Sequence, residues 1–394
     1  MSAVVDGVDL DRGCDVSAWF EFDLHPLIMR AIQDCGFTTP TPIQRECLLP
    51  ATKGRCDIIG AAQTGSGKTL AFALPILQRL LSQGIDVLRA LIVAPTRELA
   101  LQVCAMMRAV AVYTKIDVCP VVGGMSKEKQ ERLLNRKPAV IVATPGRMWD
   151  TMQSGHEHLT ELSALSFFVL DEADRMVERG HFSELTSIIQ NIPQPPRIKR
   201  PGGAAKLTSA VPFYGRVKMV DLTTKERKGG AVAKSIAESA LECTEDDRDS
   251  LLYYLLSAHP GMTIVFVNAI SCLRRVVALL KILRVPVEGL HAGMQQRARL
   301  KALDRFKAAA AAADKGDRHA HSVLVATDVA ARGLDVKGVE LVIHYQIPLS
   351  ADTYIHRSGR TGRADKLGAA VSLVTPKDRA RYYSLLKSLN RDGP

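Results

Sequence analysis

The chain has 394 residues with 52 Lys+Arg against 41 Asp+Glu, a formal charge of +11, and 47% of its residues are apolar against 24% charged. That length predicts two domains, and the balance is that of a folded chain rather than a disordered one. Eight scattered cysteines without a CxxC pair exclude a disulfide scaffold or a zinc knuckle, and no run approaches the ~20 apolar residues of a membrane helix.

The basic excess points to a polyanionic partner, with plain solubility as the alternative. Aromatic residues are few (10 Phe, 8 Tyr, 2 Trp), so a bound nucleic acid is expected to be held by its backbone rather than by base stacking. The N-terminal segment 1–18 carries Asp6, Asp9 and Asp11 where a signal peptide would be positive and then apolar. With reduced cysteines, this reads as a soluble intracellular chain with no membrane partner.

From there short apolar runs alternate with longer helix-period stretches. The first half holds Asp57–Gly60, Ala90–Ala94, Ala139–Ala143 and Phe167–Leu170. The second holds Lys218–Leu222, Thr263–Val267, Val323–Ala326, Leu341–Tyr345 and Ala369–Leu373. Continuous runs without alternation indicate strands buried on both faces of a parallel sheet covered by helices. Two such series predict two α/β domains, over 19–200 and 241–394. Pro193, Pro195, Pro196, Pro201 and the pairs Gly202–Gly203 and Gly229–Gly230 punctuate a boundary between about Asn191 and Leu241, with an irregular linker over 201–240. The alanines Ala308 to Ala313 should extend the preceding helix to a loop at Gly316.

Three stretches carry chemistry. Ala61-Ala-Gln63-Thr64-Gly65-Ser66-Gly67-Lys68-Thr69 follows the first strand and opens a helix, with phosphate-loop spacing and Ala62 in the first glycine position. Small residues let backbone N–H groups wrap a polyphosphate at a helix N-terminus, with Lys68 reaching the β/γ-phosphates and the Thr69 hydroxyl binding Mg2+. Asp171-Glu172-Ala-Asp174 ends another strand; Asp171 can hold Mg2+, and Glu172 can orient or deprotonate the attacking water. By itself such a cluster is as often a helix cap. His356-Arg-Ser-Gly-Arg360-Thr-Gly-Arg363 spaces three arginines by three residues with glycines between, which suits a transferring phosphoryl group better than a solvated basic turn. Together these imply ATP held between two domains.

These motifs resemble the core of the DEAD-box RNA helicases, and the resemblance runs from about Trp19 to Ala364. Further matching segments are Gly36-Phe37, Pro40-Thr-Pro-Ile-Gln44, Pro95-Thr-Arg-Glu-Leu-Ala100, Gly123-Gly124, Thr144-Pro-Gly-Arg147, Gln296 with Arg299, and Ala326-Thr327-Asp-Val-Ala-Ala-Arg-Gly-Leu-Asp335. The resemblance implies two tandem RecA-like domains and ATP as the nucleotide. Gln44 would read the adenine, and Trp19, standing where the family has a Phe, would pack on the base. Asp335 would contact the ribose or couple nucleotide to RNA. Arg360 and Arg363 would be the arginine fingers, with His356 positioning the cleft. Thr96, Arg97, Gly124, Thr144, Arg147, Arg299 and Thr327 would line the RNA path, although a lone Thr or Gly is equally a turn or cap residue.

A finer likeness, carried by Gly123-Gly-Met-Ser, Leu134-Asn-Arg, Asp174 to Phe182 and Leu290-His-Ala, is to the nucleolar branch that assists large-ribosomal-subunit assembly. It implies pre-ribosomal RNA and proteins as partners of a monomer in the nucleus and nucleolus, with the cytoplasm as the alternative.

Two departures stand out. The family has a further strand after the DEAD helix, ending in Ser-Ala-Thr, between the phosphate-loop and DEAD strands. Here Ser209-Ala-Val211 imitates the triplet without the apolar run before it. Either Lys206–Val211 serves as a poor substitute, or a stretch of coding sequence is missing, which is the favoured reading. Gln346 also replaces the family's usual acid after Tyr345. The leading expectation is an ATP-dependent RNA helicase. The alternatives are an ATP-dependent RNA clamp with impaired unwinding, or a DNA translocase, which the Gln44 segment and the DEAD quartet disfavour.

Overall fold

The computed structural model describes residues 4–5, 8–9, 14–62, 65–160, 162–177, 183–193, 216–222, 235–314, 322–328, 338–362, 367–389 and 391. The chain divides into two compact units, Met1–Ala62 with Ser66–Leu222 and Gln63–Gly65 with Thr223–Pro394. No helix among the described residues is long and apolar enough to cross a membrane.

The first unit begins with a short antiparallel pair, β1 (Val4–Val5) and β2 (Val8–Asp9), followed by α1 (Pro26–Asp34) and α2 (Pro42–Thr52). Both helices start on proline, whose missing N–H costs nothing in a first turn. Then come β3 (Asp57–Ala61), α3 (Lys68–Leu80), β4 (Ala90–Val93), α4 (Arg97–Val110), β5 (Val118–Val121), α5 (Lys127–Leu134), β6 (Val140–Ala143), α6 (Pro145–Gln153), α7 (Glu157–Thr160), β7 (Phe167–Leu170), α8 (Ala173–Val177), α9 (Ser183–Asn191) and β8 (Val217–Asp221). Every pairing among β3 to β8 is parallel. Alternate residues of β4 feed opposite faces: Ala90 and Ile92 join one apolar core, Leu91 and Val93 the other.

These strands form two sheets, β5-β6-β4-β7 and β3-β8. Among the described residues no strand joins β7 to β3, where the family resemblance leads one to expect a strand. Burial follows the break: β4, β5 and β6 are buried throughout, whereas β7 and β3 are only half-buried. The triplet Ser209–Val211 lies outside the described residues.

The second unit contains β9 (Ile236–Glu242), α10 (Arg248–Ala258), β10 (Met262–Val267), α11 (Ile270–Ile282), β11 (Val287–Leu290), α12 (Gln296–Asp314), β12 (Ser322–Thr327), β13 (Leu341–His344), α13 (Ala351–Ser358), β14 (Gly368–Val374) and α14 (Arg379–Ser388). Its six strands make one all-parallel sheet in the order β11-β12-β10-β13-β14-β9. Met262, Ile264 and Phe266 face one core and Val265 and Val267 the other, so this sheet too is covered on both sides.

The structure corrects the expected domain limits. The stretch 201–240, read as irregular linker, contains β8 and the start of β9. Lys218–Leu222, read with the second series, belongs to the first unit, because β8 pairs with β3. The alanine run does extend its helix, which ends at Asp314; Gly316 lies outside the described residues.

Candidate nucleotide and RNA site

The phosphate loop joins β3 to α3. Gly67 caps α3 at φ +89°, a left-handed conformation that excludes most side chains, and a Cβ there would collide with Nε2 of Gln44. Gln44, in the first turn of α2, is 2% exposed. Its Oε1 accepts the Thr41 N–H at 2.8 Å, and its Nε2 donates to the Gly67 carbonyl at 3.0 Å. The residue expected to read the adenine is thus tied directly to the loop expected to hold the phosphates. Beside it the buried Ser66 Oγ makes no hydrogen bond among the described residues. Buried polar atoms rarely go unpaired, so this loop suits a polar, phosphate-bearing ligand. Lys68 donates from Nζ to the Ala62 carbonyl at 2.5 Å, across the base of the loop. Thr69 follows in the first turn of α3 and is partly exposed. Gln63 and Thr64 lie outside the described residues.

Asp171 follows β7 and remains in register with the sheet, its N–H donating to the Val93 carbonyl at 3.0 Å. Burial, reinforced by the charge of Glu172, pushes its carboxyl up to about 6, and the Lys68 ammonium partly offsets this. That influence places the loop lysine and the DEAD carboxylate in one electrostatic environment. Thr69 and Asp171 supply hard oxygen donors of the kind Mg2+ takes. Glu172 has φ +51°, uncommon for a residue with a side chain, and its N–H donates to Asp171 Oδ1 at 3.1 Å. Such a backbone costs on the order of 1–3 kcal/mol and concentrates at functional sites.

The parallel order β5-β6-β4-β7 brings the C-terminal strand ends to one edge, and the helices that follow begin there. Thr96, after β4, caps α4 by accepting the Leu99 N–H at 3.3 Å. Arg97 opens α4 and lies against Gly124, whose φ of +69° and lack of a Cβ leave room for the guanidinium. Thr144 caps α6 after β6. Arg147, one turn on, donates from Nε to Gln130 Oε1 at 2.7 Å, and Gln130 in turn holds Thr151 Oγ1 at 2.6 Å. The edge therefore combines helix N-termini, hydroxyls and two arginines, a surface for phosphates without base readout.

In the second unit Thr327 ends β12 and is buried, and Arg299 lies in the first turn of α12. Burial together with the charges of Arg274 and Arg299 lowers the pKa of His291. Arg360, in the turn after α13, is 3% exposed and donates from Nε to the His356 carbonyl at 3.1 Å. Asp335 and Arg363 lie outside the described residues.

Trp19 requires a correction. Its ring is 0% exposed, packed into the core edge-on to Phe22 at 6.1 Å between ring centroids. Its Nε1 donates to the Phe37 carbonyl at 2.8 Å, a bond no Phe could make. It has no free face for an adenine; it fastens the stretch leading to Gln44. Sequence reasoning missed Thr41, although Thr41-Pro-Ile-Gln44 has the spacing of a capping box. It also missed Gln130, for which no local signal exists.

Comparison with known proteins identifies the family and the fold. A DEAD/DEAH box helicase model matches residues 41–212, and a helicase conserved C-terminal domain model matches 247–365. DEAD-box ATP-dependent RNA helicase 13 of Oryza sativa subsp. japonica is 43% identical over 461 aligned residues, covering 98% of this chain and 54% of its own. ATP-dependent RNA helicase mak5 of Schizosaccharomyces pombe is 37% identical, covering 96% of this chain and 61% of its own. The chain therefore spans little more than half the length of these relatives. The rice alignment is also longer than the 394 residues here, so that relative carries stretches inside the matched region that this chain lacks. Among solved structures, S. cerevisiae Dbp5 bound to RNA and ADP BeF3 superposes with a TM-score of 0.80 at 27% identity, covering 95% of this chain and 94% of that one. The two parallel-sheet units are tandem RecA-like domains, and the chain belongs to the DEAD/DEAH box helicase family.

Proposed function

We propose that the protein is an ATP-dependent RNA helicase, gripping RNA by its backbone and using ATP hydrolysis to separate short duplexes or remodel RNA–protein complexes. The observation that carries this is the junction of Gln44, the Gly67 loop, Lys68 and Asp171 within one unit, with the Ser66 hydroxyl left to be satisfied. Gln63, Thr64, Gly65, Ser66 and Gly67 would present backbone N–H groups to the phosphates, with Lys68 as counter-charge. Mg2+, held through Thr69 and Asp171, would neutralise phosphate charge. Glu172 would accept the proton of the attacking water. Arg360 and Arg363 would stabilise charge on the transferring group, and Asp335 would contact the ribose. Thr96, Arg97, Gly124, Thr144, Arg147, Arg299 and Thr327 would hold the RNA backbone.

The likeness to fission-yeast mak5, with the motifs of the nucleolar branch, supports pre-ribosomal RNA and proteins as partners of a monomer in the nucleus and nucleolus. The test is Glu172→Gln. RNA-stimulated ATP turnover should fall below detection while ATP binding, read by a fluorescent analogue, persists; turnover that survives would discard Glu172 as the base. A second reading, an RNA clamp that binds ATP without separating strands, is favoured by the lack, among the described residues, of a strand between β7 and β3. A strand-displacement assay decides: RNA retained in ATP without displacement selects the clamp.

A further inference from the structure

Of the three arginines in the His356–Arg363 stretch, Arg357 is 1% exposed and among the largest fully buried side chains of the described residues. It holds Asp328 with two bonds, Nε to Oδ1 at 2.5 Å and Nη2 to Oδ2 at 2.8 Å. Nη2 also donates to Asn268 Oδ1 at 2.6 Å, and Nη1 donates to the Gln346 carbonyl at 2.8 Å. The three partners follow β12, β10 and β13, which are adjacent in the sheet. They are linked to one another as well: the Asn268 N–H donates to Gln346 Oε1 at 2.8 Å, and Asn268 Nδ2 donates to the Ile347 carbonyl at 3.0 Å. The guanidinium also lies over the Phe266 ring at 5.2 Å. One forked cation thus gathers three strand ends that would otherwise be independent loops.

The same side chain sits at the end of α13, one turn before Arg360, and the Arg360 N–H donates to the Arg357 carbonyl at 3.1 Å. Beneath it, His344 on β13 is stacked on Tyr354 at 4.7 Å and bonded to Ser358 Oγ at 3.1 Å, and burial and the Arg357 charge keep it neutral. Helix α13 is therefore fixed to the sheet both by packing and by the Arg357 clamp.

We propose that Arg357 is a positioning residue for ATP hydrolysis, setting the turn that carries Arg360 against the ends of β10, β12 and β13, with the neutral Gln346 completing the clamp. The proposal rests on the reading of Arg360 as an arginine finger. It differs from a finger role for Arg357, because its four donor bonds are spent inside the second unit. A lysine in its place has one charged nitrogen and cannot reach all three partners in plane.

The test uses single-turnover and steady-state RNA-stimulated ATPase of the full chain with Arg357→Lys, Asn268→Ala, Arg360→Ala and the double variants. Arg357→Lys should lower kcat about tenfold with KM for ATP within about twofold of wild type. Asn268→Ala, which leaves the Asp328 pair intact and so keeps the fold, should show a smaller loss of the same kind. On the Arg360→Ala background both effects should vanish, since residues acting through one another are not additive. Additive losses, or an effect confined to KM or to melting temperature, would overturn the positioning role. Full activity of Arg360→Ala would remove the finger reading itself, and the proposal with it.

Discussion

The charge of Asp171 is costly to this fold. Its carboxyl moves from an ordinary 3.8 to about 6 because it is buried beside Glu172. The folded state therefore holds a proton that the unfolded chain has already released. Its contribution is favourable below pH 3.8 and is lost as pH rises through 6, so at neutral pH the ionised group costs on the order of 3 kcal/mol without metal. Asp171→Asn should accordingly raise the melting temperature of the metal-free protein at pH 7.5, and the gain should shrink steadily toward pH 4. A gain independent of pH would assign it to something other than the carboxylate. Lys68, Thr69 and Asp171 were legible in sequence because their chemistry sits in local spacing at strand ends. Trp19 was not, because what decides its role is a bond to a carbonyl 18 residues away in the chain.

At the scale of elements, the edge proposed for RNA exists because the parallel strands β4, β5 and β6 all end, and their helices begin, at one end of the sheet. Gly124 is its tightest point, where a turn after β5 admits the Arg97 side chain from α4. Gly124→Ala would strain a left-handed backbone and push the guanidinium aside. Its RNA dissociation constant, measured by fluorescence anisotropy, should rise about tenfold, the scale of a lost charge-assisted contact; unchanged affinity would take Arg97 and Gly124 out of the RNA path. Apart from the two-residue pair β1 and β2, the strands that sequence reading missed share a physical cause. β5, β9 and β11 are all edge strands, and their sequences carry Pro120, the charged Glu238 and Glu242, and Gly289. A search for unbroken apolar runs finds strands covered on both faces and flanked on both sides, such as β4, β6, β10 and β12.

For the whole molecule, the consequential feature is that no strand among the described residues pairs with both β7 and β3 in the first unit. In β7 the N–H groups of Phe167 and Asp171 reach β4, at Arg89 and Val93. Backbone direction alternates, so the N–H groups of Phe168 and Leu170 point away from β4. In β3 the Asp57 N–H reaches the Arg216 carbonyl, so those of Ile58 and Gly60 point away from β8. Among the described residues these four find no partner, and a buried parallel sheet does not tolerate two such rows without cost. Their exchange with deuterium in the native protein should be fast, while the amides of Ala90–Val93, in a strand flanked by β6 and β7, remain protected. Inserting a five-residue apolar strand and a crossover of about 12 residues between Ile192 and Arg216 should protect all four and raise the melting temperature. Protection of the four amides in the unaltered chain would show instead that some other segment already pairs there. The clamp reading would then lose its structural ground and unwinding would regain its.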